Sequence, residues 1–582
     1  MTSDRHQRAR LGIGTGNSAA PASMALAVTL AIGMAAFLLL PVALAVGSAF
    51  LQDGRLSLHW LATAVTRPVL VRDFANSLVL ACATTGVSLL LAVPLAVLRT
   101  RCRFFGGGLL GMLVLVPMIL PPFVGALSMK RLFSQFGVVN QLLEKVGLLD
   151  FGRHLPPDWL GGGFAGVVFL QSLHLFPILY LNASAALANV DPTLTQAARN
   201  LGAGPLRAFL HVTLPLMRPG LFAGGTIVFI WSFTDVGTPA LLNFDQLAAV
   251  RIFKNLARSE TGGLVYAQVF VLLAGSVGLY VLGKTLFGRS VGADSTKASL
   301  AAETRQLGAL GTLGAWALFG AVITLAALPH VGVIITSLAD GWVNTPLPQK
   351  WTLKHLAFVV THPATYHSLL NSLQYAGIST AIDIVLGGLA AWLIVRARVR
   401  GRTALDGLMM LPLAVPGLIL AAGYVALTAK GPLEAIGPTK NPFLLLVIAY
   451  SVRRIPFVVR GVSAGLQQVP VAMEEAAWNL GSGRVRTFGR ITLPLIAANV
   501  VAAGILTFAY AVLEVSDSLI LAQTPDYYPI TKQLFELATS TGSPETGYQA
   551  AALGVYGMGL LGGAMAIAGA VLGKRLGAIF RA

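Results

Sequence analysis

The sequence has few charged side chains and almost no cysteine. Only 11% of its 582 residues are Asp, Glu, Lys or Arg, whereas soluble domains carry about 25%, so a water-soluble globular fold is excluded. Cys82 and Cys102 lie about 30 Å apart if both are on or just past one helix, too far for a disulfide. Acidic residues are scarcer than basic ones, 23 against 41. The basic residues form short clusters between apolar runs, which argues for a lipid bilayer and against nucleic acid as the partner.

Apolar runs occupy most of the chain. Hydrophobic residues make up 55% of it, and about 20 apolar residues are needed to cross a bilayer as a helix. The first run is longer than a signal-peptide core and lacks a convincing cleavage site, so we interpret it as a retained span. We predict an all-α integral membrane protein with about twelve transmembrane helices, six in each half. The predicted spans lie near 24–49, 75–98, 107–128, 163–188, 219–241, 264–287, 308–338, 370–395, 405–428, 441–466, 497–522 and 548–573.

Basic clusters predict the orientation of the chain. With the N-terminus inside, clusters such as RTRCR at 99–103 and RARVRGR at 396–402 fall on the cytoplasmic side, as the positive-inside rule requires. Arg453 and Arg454 fall within the tenth predicted span and are assigned to the same side because they lie in its later part. Both termini are therefore predicted to be cytoplasmic.

The two halves of the sequence resemble each other. The segment that begins with NSLVLACATTGVSLLLAVPL at Asn76 matches the segment from Asn371 at an offset of 295 residues, and LGAGPLRAFLHVTLPL from Leu201 matches LGSGRVRTFGRITLPL from Leu480 at an offset of 279. We therefore predict two fused six-span units, 1–288 and 307–582, joined by a cytoplasmic linker at 289–306. Because six is even, both units enter the membrane in the same direction, as parallel repeats do.

A polar stretch follows the fourth span of each unit. It reads QAARNLGAG at 196–204 and EEAAWNLGSG at 474–483, on the predicted cytoplasmic side. The pattern favours two short helices with a bend at Gly202 or Gly481, followed by a basic stretch that ends in Leu-Pro-Leu before the next span.

These stretches resemble the EAA loop of binding-protein-dependent ABC transporter permeases, and the resemblance covers essentially the whole chain. It implies the type I ABC importer permease fold, with coupling loops at 190–216 and 469–495. The departure from the family pattern is Gln196, where the family usually has glutamate, and this bears on whether the two loops contribute equally to coupling. The coupling residues that the resemblance implies are Gln196, Ala197, Ala198, Gly202, Pro215, Glu474, Glu475, Ala476, Ala477, Gly481 and Pro494.

The resemblance also implies the partners. In that family each EAA loop sits in a groove of a separate ATP-hydrolysing subunit, so two ATPase copies, a periplasmic substrate-binding protein and a location in the bacterial inner membrane are expected. No catalytic residue, metal site or bound cofactor is expected in this chain, because ATP is used by the partner. The string GLYVLGKT at 278–285 has the spacing of a P-loop, but it closes an apolar span and is interpreted as helix.

Acidic residues inside predicted spans are candidates for the translocation pathway. Asp235 and Glu514 are related by the 279-residue offset, and Asp517 follows Glu514 by about one helical turn. Acids within a bilayer usually face a cavity or a partner, although hydrogen bonding between helices is an equal alternative. Asp383 has Ser88 as its counterpart and is a weaker candidate, and the lone His174 is more typical of a hydrogen-bonded structural residue than of a metal ligand.

Prolines are expected to bend or break the third and ninth spans, because each proline removes a backbone donor. They are Pro117, Pro121 and Pro122 in the first half and Pro412 and Pro416 in the second.

The fused units and the segments PMILPPFVGALSM, YSVRRIPFVVRGVSAGLQQVP and LEVSDSLILA resemble the ferric-iron branch of these permeases. Close relatives in the superfamily serve thiamine, aminoethylphosphonate, polyamines or sugar phosphates, so these substrates remain alternatives. A gradient-driven secondary transporter, with Asp235, Glu514 and Asp517 as a proton relay, also fits twelve spans in parallel repeats, but it would not need two EAA loops. The hypothesis of a membrane enzyme is not supported, because the sequence shows no paired catalytic groups near either predicted membrane surface.

Overall fold

The computed structural model describes residues 21–119, 121–152, 154–258, 262–287, 305–397 and 399–572, and this part of the chain is almost entirely helical. The predicted cytoplasmic termini and most of the predicted linker, 289–306, lie outside the described residues.

The helices of the first half begin with a long apolar helix that contains one π-helical turn at Ala35–Leu39. They are α1 (Pro21–Ala49), α2 (His59–Thr66), α3 (Pro68–Arg101), α4 (Gly107–Leu113), α5 (Pro122–Phe133), α6 (Val138–Lys145), α7 (Phe164–Ala188), α8 (Pro192–Asn200), α9 (Pro205–Phe233), α10 (Gly237–Leu241), α11 (Ala248–Ala257) and α12 (Gly263–Phe287).

The second half repeats this order, except that a short 3-10 helix, Pro432–Ile436, stands at the place of α6. Its helices are α13 (Ala309–Ser337), α14 (Lys354–Thr361), α15 (Pro363–Val395), α16 (Arg402–Met410), α17 (Gly417–Thr428), α18 (Phe443–Gln468), α19 (Val471–Asn479), α20 (Arg484–Val512), α21 (Ser516–Leu521), α22 (Ile530–Thr539) and α23 (Thr546–Leu572).

Short strands join some of the helix ends. Antiparallel pairs form between β1 (Leu51–Gln52) and β2 (Arg55–Leu56) and between β5 (Ala339–Asp340) and β6 (Lys350–Trp351). A parallel pair forms between β3 (Cys102–Arg103) and β4 (Arg305–Gln306), which connects the end of α3 to the start of α13.

Among the described residues, nine helices are long and apolar enough to cross a membrane, namely α1, α3, α7, α9, α12, α13, α15, α20 and α23. Two bent helix pairs raise the number to as many as eleven. The helix at the place of the tenth predicted span, α18, is long enough but carries Arg453, Arg454 and Arg460. The structure therefore supports nine to eleven apolar spans in a nearly all-helical membrane protein.

The two bent pairs lie where proline was expected to break the third and ninth spans, and this prediction is confirmed. The axis turns by 92° between Gly107–Ile119 and Pro122–Lys145, and by 96° between Arg402–Leu413 and Gly417–Thr428. The residues at the two breaks, Pro121 and Pro416, both adopt an extended backbone before a new helix starts, as a residue without a backbone donor favours.

The fifth and eleventh spans begin earlier than predicted. We expected them near 219–241 and 497–522, whereas α9 begins at Pro205 and α20 at Arg484. The helix continues through Leu-Pro-Leu because a π-helical turn precedes each proline: Leu214 N donates to Phe209 O, and Leu493 N donates to Phe488 O. A π turn is wider than an α turn and accommodates a proline ring that would clash with the carbonyl four residues earlier.

The first helix of each half packs on the other half. Tyr424 of α17 donates a 2.7 Å hydrogen bond to the carbonyl of Phe37 in α1, and Ser128 of α5 donates a 2.9 Å bond to the carbonyl of Pro329 in α13. Gly423, which corresponds to Ser128 at the 295-residue offset, lies so close to Pro41 that an added Cβ would stand 2.6 Å from its backbone. Equivalent positions of α5 and α17 thus receive a proline-containing helix of the opposite half.

Polar residues at the matched NSL segments make matched contacts. The side-chain amides of Asn76 and Asn371 donate to the carbonyls of Gln246 and Asp526, at 3.0 and 2.8 Å. The adjacent hydroxyls, of Ser77 and Ser372, accept the backbone N–H groups of Ala248 and Ile530, at 3.0 and 2.7 Å. The serine bonds satisfy the first N–H groups of α11 and α22, and the asparagine bonds hold the loops that lead into these helices. Together they explain why an Asn-Ser pair occurs in an otherwise apolar helix.

Candidate functional site

The two predicted coupling loops have the same backbone geometry. Each contains a nine-residue helix, α8 or α19, that ends in a turn at a left-handed glycine, Gly202 with φ +89° and Gly481 with φ +84°. Ala203 N donates to Ala198 O and Ser482 N to Ala477 O, both at 3.0 Å, which is the Schellman arrangement that requires a left-handed residue. The predicted bend at these glycines is confirmed. The second short helix of each loop is part of the following span, α9 or α20.

Apolar side chains are exposed at the tip of each loop. Leu201 and Leu480, which correspond at the 279-residue offset, are each 89% exposed. Leu206 and Val485, the next corresponding pair, are also exposed. Large apolar side chains on a polar turn are typical of a surface that a protein partner covers.

The candidate coupling residues differ in accessibility. Gln196 and Glu475 are exposed on equivalent faces of α8 and α19, whereas the neighbouring Glu474 is buried. The other candidates are exposed (Ala197, Gly202, Ala476, Gly481 and Pro494), half-buried (Ala198 and Pro215) or buried (Ala477). A partner can therefore contact Glu475 directly but cannot contact the Glu474 carboxylate.

A central cavity of about 200 Å³ lies between the two halves. It is lined by residues that correspond at the two offsets, for example Pro121 with Pro416 and Asp235 with Glu514. The breaks within the two bent pairs and the ends of α9 and α20 meet there. The cavity is therefore assembled from the same elements of both halves, on the axis between them.

The second half contributes a buried ion cluster to the cavity wall. Arg453 donates to Glu514 at 2.9 Å and to Asp517 at 3.4 Å, and Arg454 donates to the other oxygen of Glu514. The side chains of Glu514 and Asp517 are 3% and 0% exposed. Two arginines thus balance two carboxylates, which is the arrangement that makes buried charge tolerable.

Asp383 extends the polar network of the second half. It is buried on α15 and accepts a 2.5 Å hydrogen bond from the hydroxyl of Ser451 on α18. Its counterpart Ser88 is also buried on α3 and donates to the carbonyl of Ser172 at 3.4 Å. Asp383 does not line the cavity, so its visible role is to join α15 to α18.

The first half contributes one acid, Asp235, that meets no arginine among the residues described. Gln171 donates to Asp235 at 2.8 Å, and Gly237 N donates to its other oxygen at 3.1 Å. At the 279-residue offset His174 and Leu175 stand where the second half has Arg453 and Arg454. The Nδ1 of His174 lies 2.9 Å from the carbonyl oxygen of Pro117, so this histidine takes part in hydrogen bonding beside the cavity. The two sides of the cavity therefore differ in charge.

Three details of the predicted site were wrong. Asp235 and Glu514 are not in the middle of a span, because α9 ends at Phe233 and α20 at Val512, and both acids lie in the break that follows. Asp517 lies in the first turn of α21, so it is not one turn after Glu514 on a continuous helix. Arg453 and Arg454 do not lie in the later part of α18 but near its middle, in contact with Glu514.

The ion pairs of the cavity are the feature of the candidate site that sequence reasoning missed. The offset of 279 residues places Arg453 opposite His174 and links Glu514 to Asp235, so the same alignment that identified the acids also contained the arginines. The arginines were instead counted as topology signals. Two adjacent arginines within an apolar helix, together with acids in a later segment, are the signal that indicates a buried pair.

Two expectations about chemistry can be compared with the structure. Gly278 to Thr285 lies inside the helix α12, so this P-loop-like string lacks the strand and exposed loop that phosphate binding requires. Within the described ranges, no group of three His, Cys, Asp or Glu side chains could hold a metal ion.

A family model matches the chain twice, at residues 88–289 and 383–581, and it describes the inner membrane component of binding-protein-dependent transport systems. The two matches begin 295 residues apart, which is the offset of the NSL segments. The chain belongs to this family. It is therefore a permease with two fused family domains, the non-catalytic membrane subunit of an ABC transporter.

Similar proteins include ferric transport permeases. The permease is 28% identical over 473 residues to FbpB 1 of Haemophilus influenzae, to which the role of ferric transport system permease is assigned, covering 78% of this chain and 71% of the relative. It is 26% identical over 462 residues to the ferric transport system permease protein FbpB of Actinobacillus pleuropneumoniae, covering 77% and 64%. Over a shorter range of 160 residues it is 31% identical to the molybdenum transport system permease protein ModB of Escherichia coli, covering 26% and 69%.

Proposed function

We propose that this permease imports ferric iron as part of an ATP-driven transporter. The observation that carries the substrate is the similarity to ferric transport permeases over 78% and 77% of this chain, whereas the molybdenum relative ModB is matched over 26% of it. A periplasmic binding protein would deliver the iron, and two copies of a separate ATPase subunit would drive its passage through the inner membrane.

The proposed topology has twelve crossings in two parallel six-span units, 1–288 and 307–582, with the segment 289–306 between them and both termini in the cytoplasm. It takes each bent pair as one span and adds α18, in which Glu514 and Asp517 neutralise Arg453 and Arg454 and Asp406 lies 3.5 Å from the third arginine, Arg460. The repeated family match and the matched contacts of Asn76 and Asn371 support this arrangement.

The proposed coupling sites are the loops 190–216 and 469–495. Their support is the exposed pair Leu201 and Leu480 at the loop tips and the exposed pair Gln196 and Glu475 on the preceding helices. A short helix that ends in a fixed turn and continues into a span transmits a rigid-body displacement. ATP-driven closure of the two ATPase subunits would therefore tilt α9 and α20 together.

The proposed pathway is the central cavity. The ends of α9 and α20 form part of its wall, so tilting these helices moves Asp235 and Glu514 and changes the access to the cavity from either side of the membrane. A ligand inside would meet a carboxylate on one side and an arginine-bearing ion cluster on the other. Alternating access around a central site is the general behaviour of such two-unit transporters.

Uptake into proteoliposomes tests the proposal. The permease is reconstituted with a candidate ATPase and a candidate binding protein, and radioactive ferric iron is supplied on the binding-protein side. Iron uptake that requires ATP and both partners is the expected result. Uptake driven by a proton gradient without ATP would contradict the ABC mechanism, and ATP-dependent uptake of thiamine or aminoethylphosphonate instead of iron would contradict the substrate.

An oxyanion is the second candidate substrate, because one observation favours it. The ModB relative is a molybdenum transport permease, and Arg453 and Arg454 line the cavity, where guanidinium groups could bind molybdate or sulfate. The same vesicles are therefore loaded in parallel with labelled molybdate and sulfate. Their ATP-dependent uptake in place of iron would select this candidate.

Charge reversal on the exposed face of the coupling helices should uncouple the transporter. In a Glu475→Arg variant we expect transport to fall by about tenfold or more, the range of typical coupling energies, while ATP hydrolysis by the partner continues and membrane insertion is unchanged. The variant should remain folded because Glu475 is exposed. The measurement is the ratio of iron transported to ATP hydrolysed, with Gln196→Arg as the matched variant in the other loop.

A further inference from the structure

The second coupling loop is tied to its own helical bundle by one buried arginine. Arg396, which follows α15, donates to the Glu474 carboxylate of α19 at 3.1 Å and to the carbonyls of Leu466 and Val469 at 2.9 and 2.7 Å. Thr492 at the start of α20 donates to the same Glu474 oxygen at 2.9 Å. The side chains of Arg396 and Glu474 are 9% and 6% exposed. One guanidinium thus joins the ends of α15 and α18 to the coupling helix, and Glu474 joins that helix to α20.

Within the described part of the chain, the first coupling loop has no carboxylate–arginine pair at the corresponding positions. The residue that corresponds to Glu474 is Thr195, and its hydroxyl makes a single 3.3 Å contact with the hydroxyl of Thr213, the counterpart of Thr492. Arg101 corresponds to Arg396 at the 295-residue offset, and its Nη2 is buried without a hydrogen-bond partner. The arginine is present in both halves, but the carboxylate that it would bind is present only in the second.

The first loop is instead stabilised locally. Asp191 caps α8 by accepting the backbone N–H of Thr193 at 2.9 Å and its hydroxyl at 2.8 Å. The backbone hydrogen bond and the side-chain hydrogen bond from Thr193 lower the pKa of the Asp191 carboxyl. This cap fixes the start of α8 but does not connect it to α3, the helix that ends at Arg101.

We propose that Glu474 and Arg396 are positioning residues that make the second loop the stiffer of the two mechanical links to the ATPase subunits, so that the two ATPase sites contribute unequally to transport. The proposal rests on the function proposed above. Charge-assisted hydrogen bonds are stronger than neutral ones, and a displacement of α19 must move α15, α18 and α20 with it. A displacement of α8 is transmitted to α9, but among the described residues no carboxylate at Thr195 links it to Arg101 at the end of α3.

Exchanging the residues at the corresponding positions 474 and 195 tests this proposal. The chain offers a reciprocal pair of substitutions: Glu474→Thr gives the second loop the residue of the first, and Thr195→Glu places a carboxylate opposite Arg101. In the unmodified permease we expect Glu475→Arg to reduce coupled uptake by about tenfold more than Gln196→Arg does. In the chain with both exchanges we expect the order of the two effects to reverse. An order that is the same in both backgrounds would overturn the proposal, because a merely structural role of Glu474 would not reverse it.

Hydrogen exchange provides a second readout that does not depend on ATP. In the intact permease the amides of 471–479 should exchange more slowly than those of 192–200, since local opening is slower where more contacts must break. Thr195→Glu alone should slow exchange in 192–200, even if Glu474→Thr impairs folding. Equal rates of hydrogen exchange in the two helices, unchanged by Thr195→Glu, would overturn the proposal that the Glu474–Arg396 pair stiffens the second loop. Loss of ATP-dependent uptake in the unmodified chain, with the difference in exchange preserved, would instead overturn only the proposed function.

Discussion

A Glu514→Gln variant is expected to lose both transport and most of its stability. The carboxylate of Glu514 binds Arg453 and Arg454 at the cavity, and a neutral amide cannot balance their charge. Arg453 retains Asp517 at 3.4 Å, but Arg454 loses the carboxylate to which it donates. Removing one partner of a buried pair typically costs about 3–5 kcal/mol. The measurement is the yield of monodisperse protein after solubilisation, followed by ATP-dependent uptake.

Two further variants separate charge balance from general damage. Asp235→Asn changes the corresponding acid of the first half, whose partners are Gln171 and a backbone N–H, so folded protein should be recovered in nearly normal amounts. Adding Arg454→Leu to Glu514→Gln should restore the yield, because leucine is what the first half has at that place, Leu175. A Glu514→Gln variant with normal yield, or a double variant no better than the single one, would contradict the charge-balance argument.

A Gly417→Ala variant should lose transport because the added methyl group displaces Arg453. Gly417 opens α17 directly after the break at Pro416, and an added Cβ would stand 1.8 Å from Nη1 of Arg453 and 2.9 Å from the Cβ of Ser516. The side chain of Arg453 must then shift, so that its Nη1 leaves the place where it binds Glu514 and Asp517. Overpacking of this kind costs about 1–3 kcal/mol, and we expect a lower melting temperature together with loss of most uptake.

Gly407→Ala is the matched control for this variant. Gly407 lies in α16 on the other side of the break, and an added Cβ there meets nothing within 4 Å. Because alanine favours helix over glycine by about 1 kcal/mol, this change should leave the melting temperature equal or slightly higher. If Gly417→Ala behaved like Gly407→Ala, the close packing of Arg453 on Gly417 would not matter for function.

The repeat in the sequence predicted the parts of the site that depend on local chemistry. The offset identified both candidate coupling loops, and the left-handed turns at Gly202 and Gly481 follow from the need for a glycine after a helix end. Proline positions predicted the breaks before α5 and α17, because a missing donor acts at the place where it occurs. These features could be read from the sequence since their causes lie within a few residues.

Features that depend on distant partners could not be predicted in the same way. Glu474 and Glu475 are adjacent and identical in type, and only the place of Arg396 in the fold decides that the first is buried and the second exposed. The ends of α9 and α20 were placed too late because hydropathy continues past Phe233 and Val512, where the backbone leaves the helix. The pairing of Arg454 with Glu514 joins residues sixty positions apart in sequence, and hydropathy carries no information about it.

The first helix of each half packs on the other half, so neither half is a complete structural unit. Without α13, the surface of α5 around Ser128 would lose the helix that covers it, and without α1 the surface around Gly423 would be uncovered in the same way. A separate half would have to recruit a first helix from another molecule. Fusion in one chain supplies that helix at the high effective concentration of an intramolecular contact, so assembly of the two halves does not depend on how much of each half the cell makes.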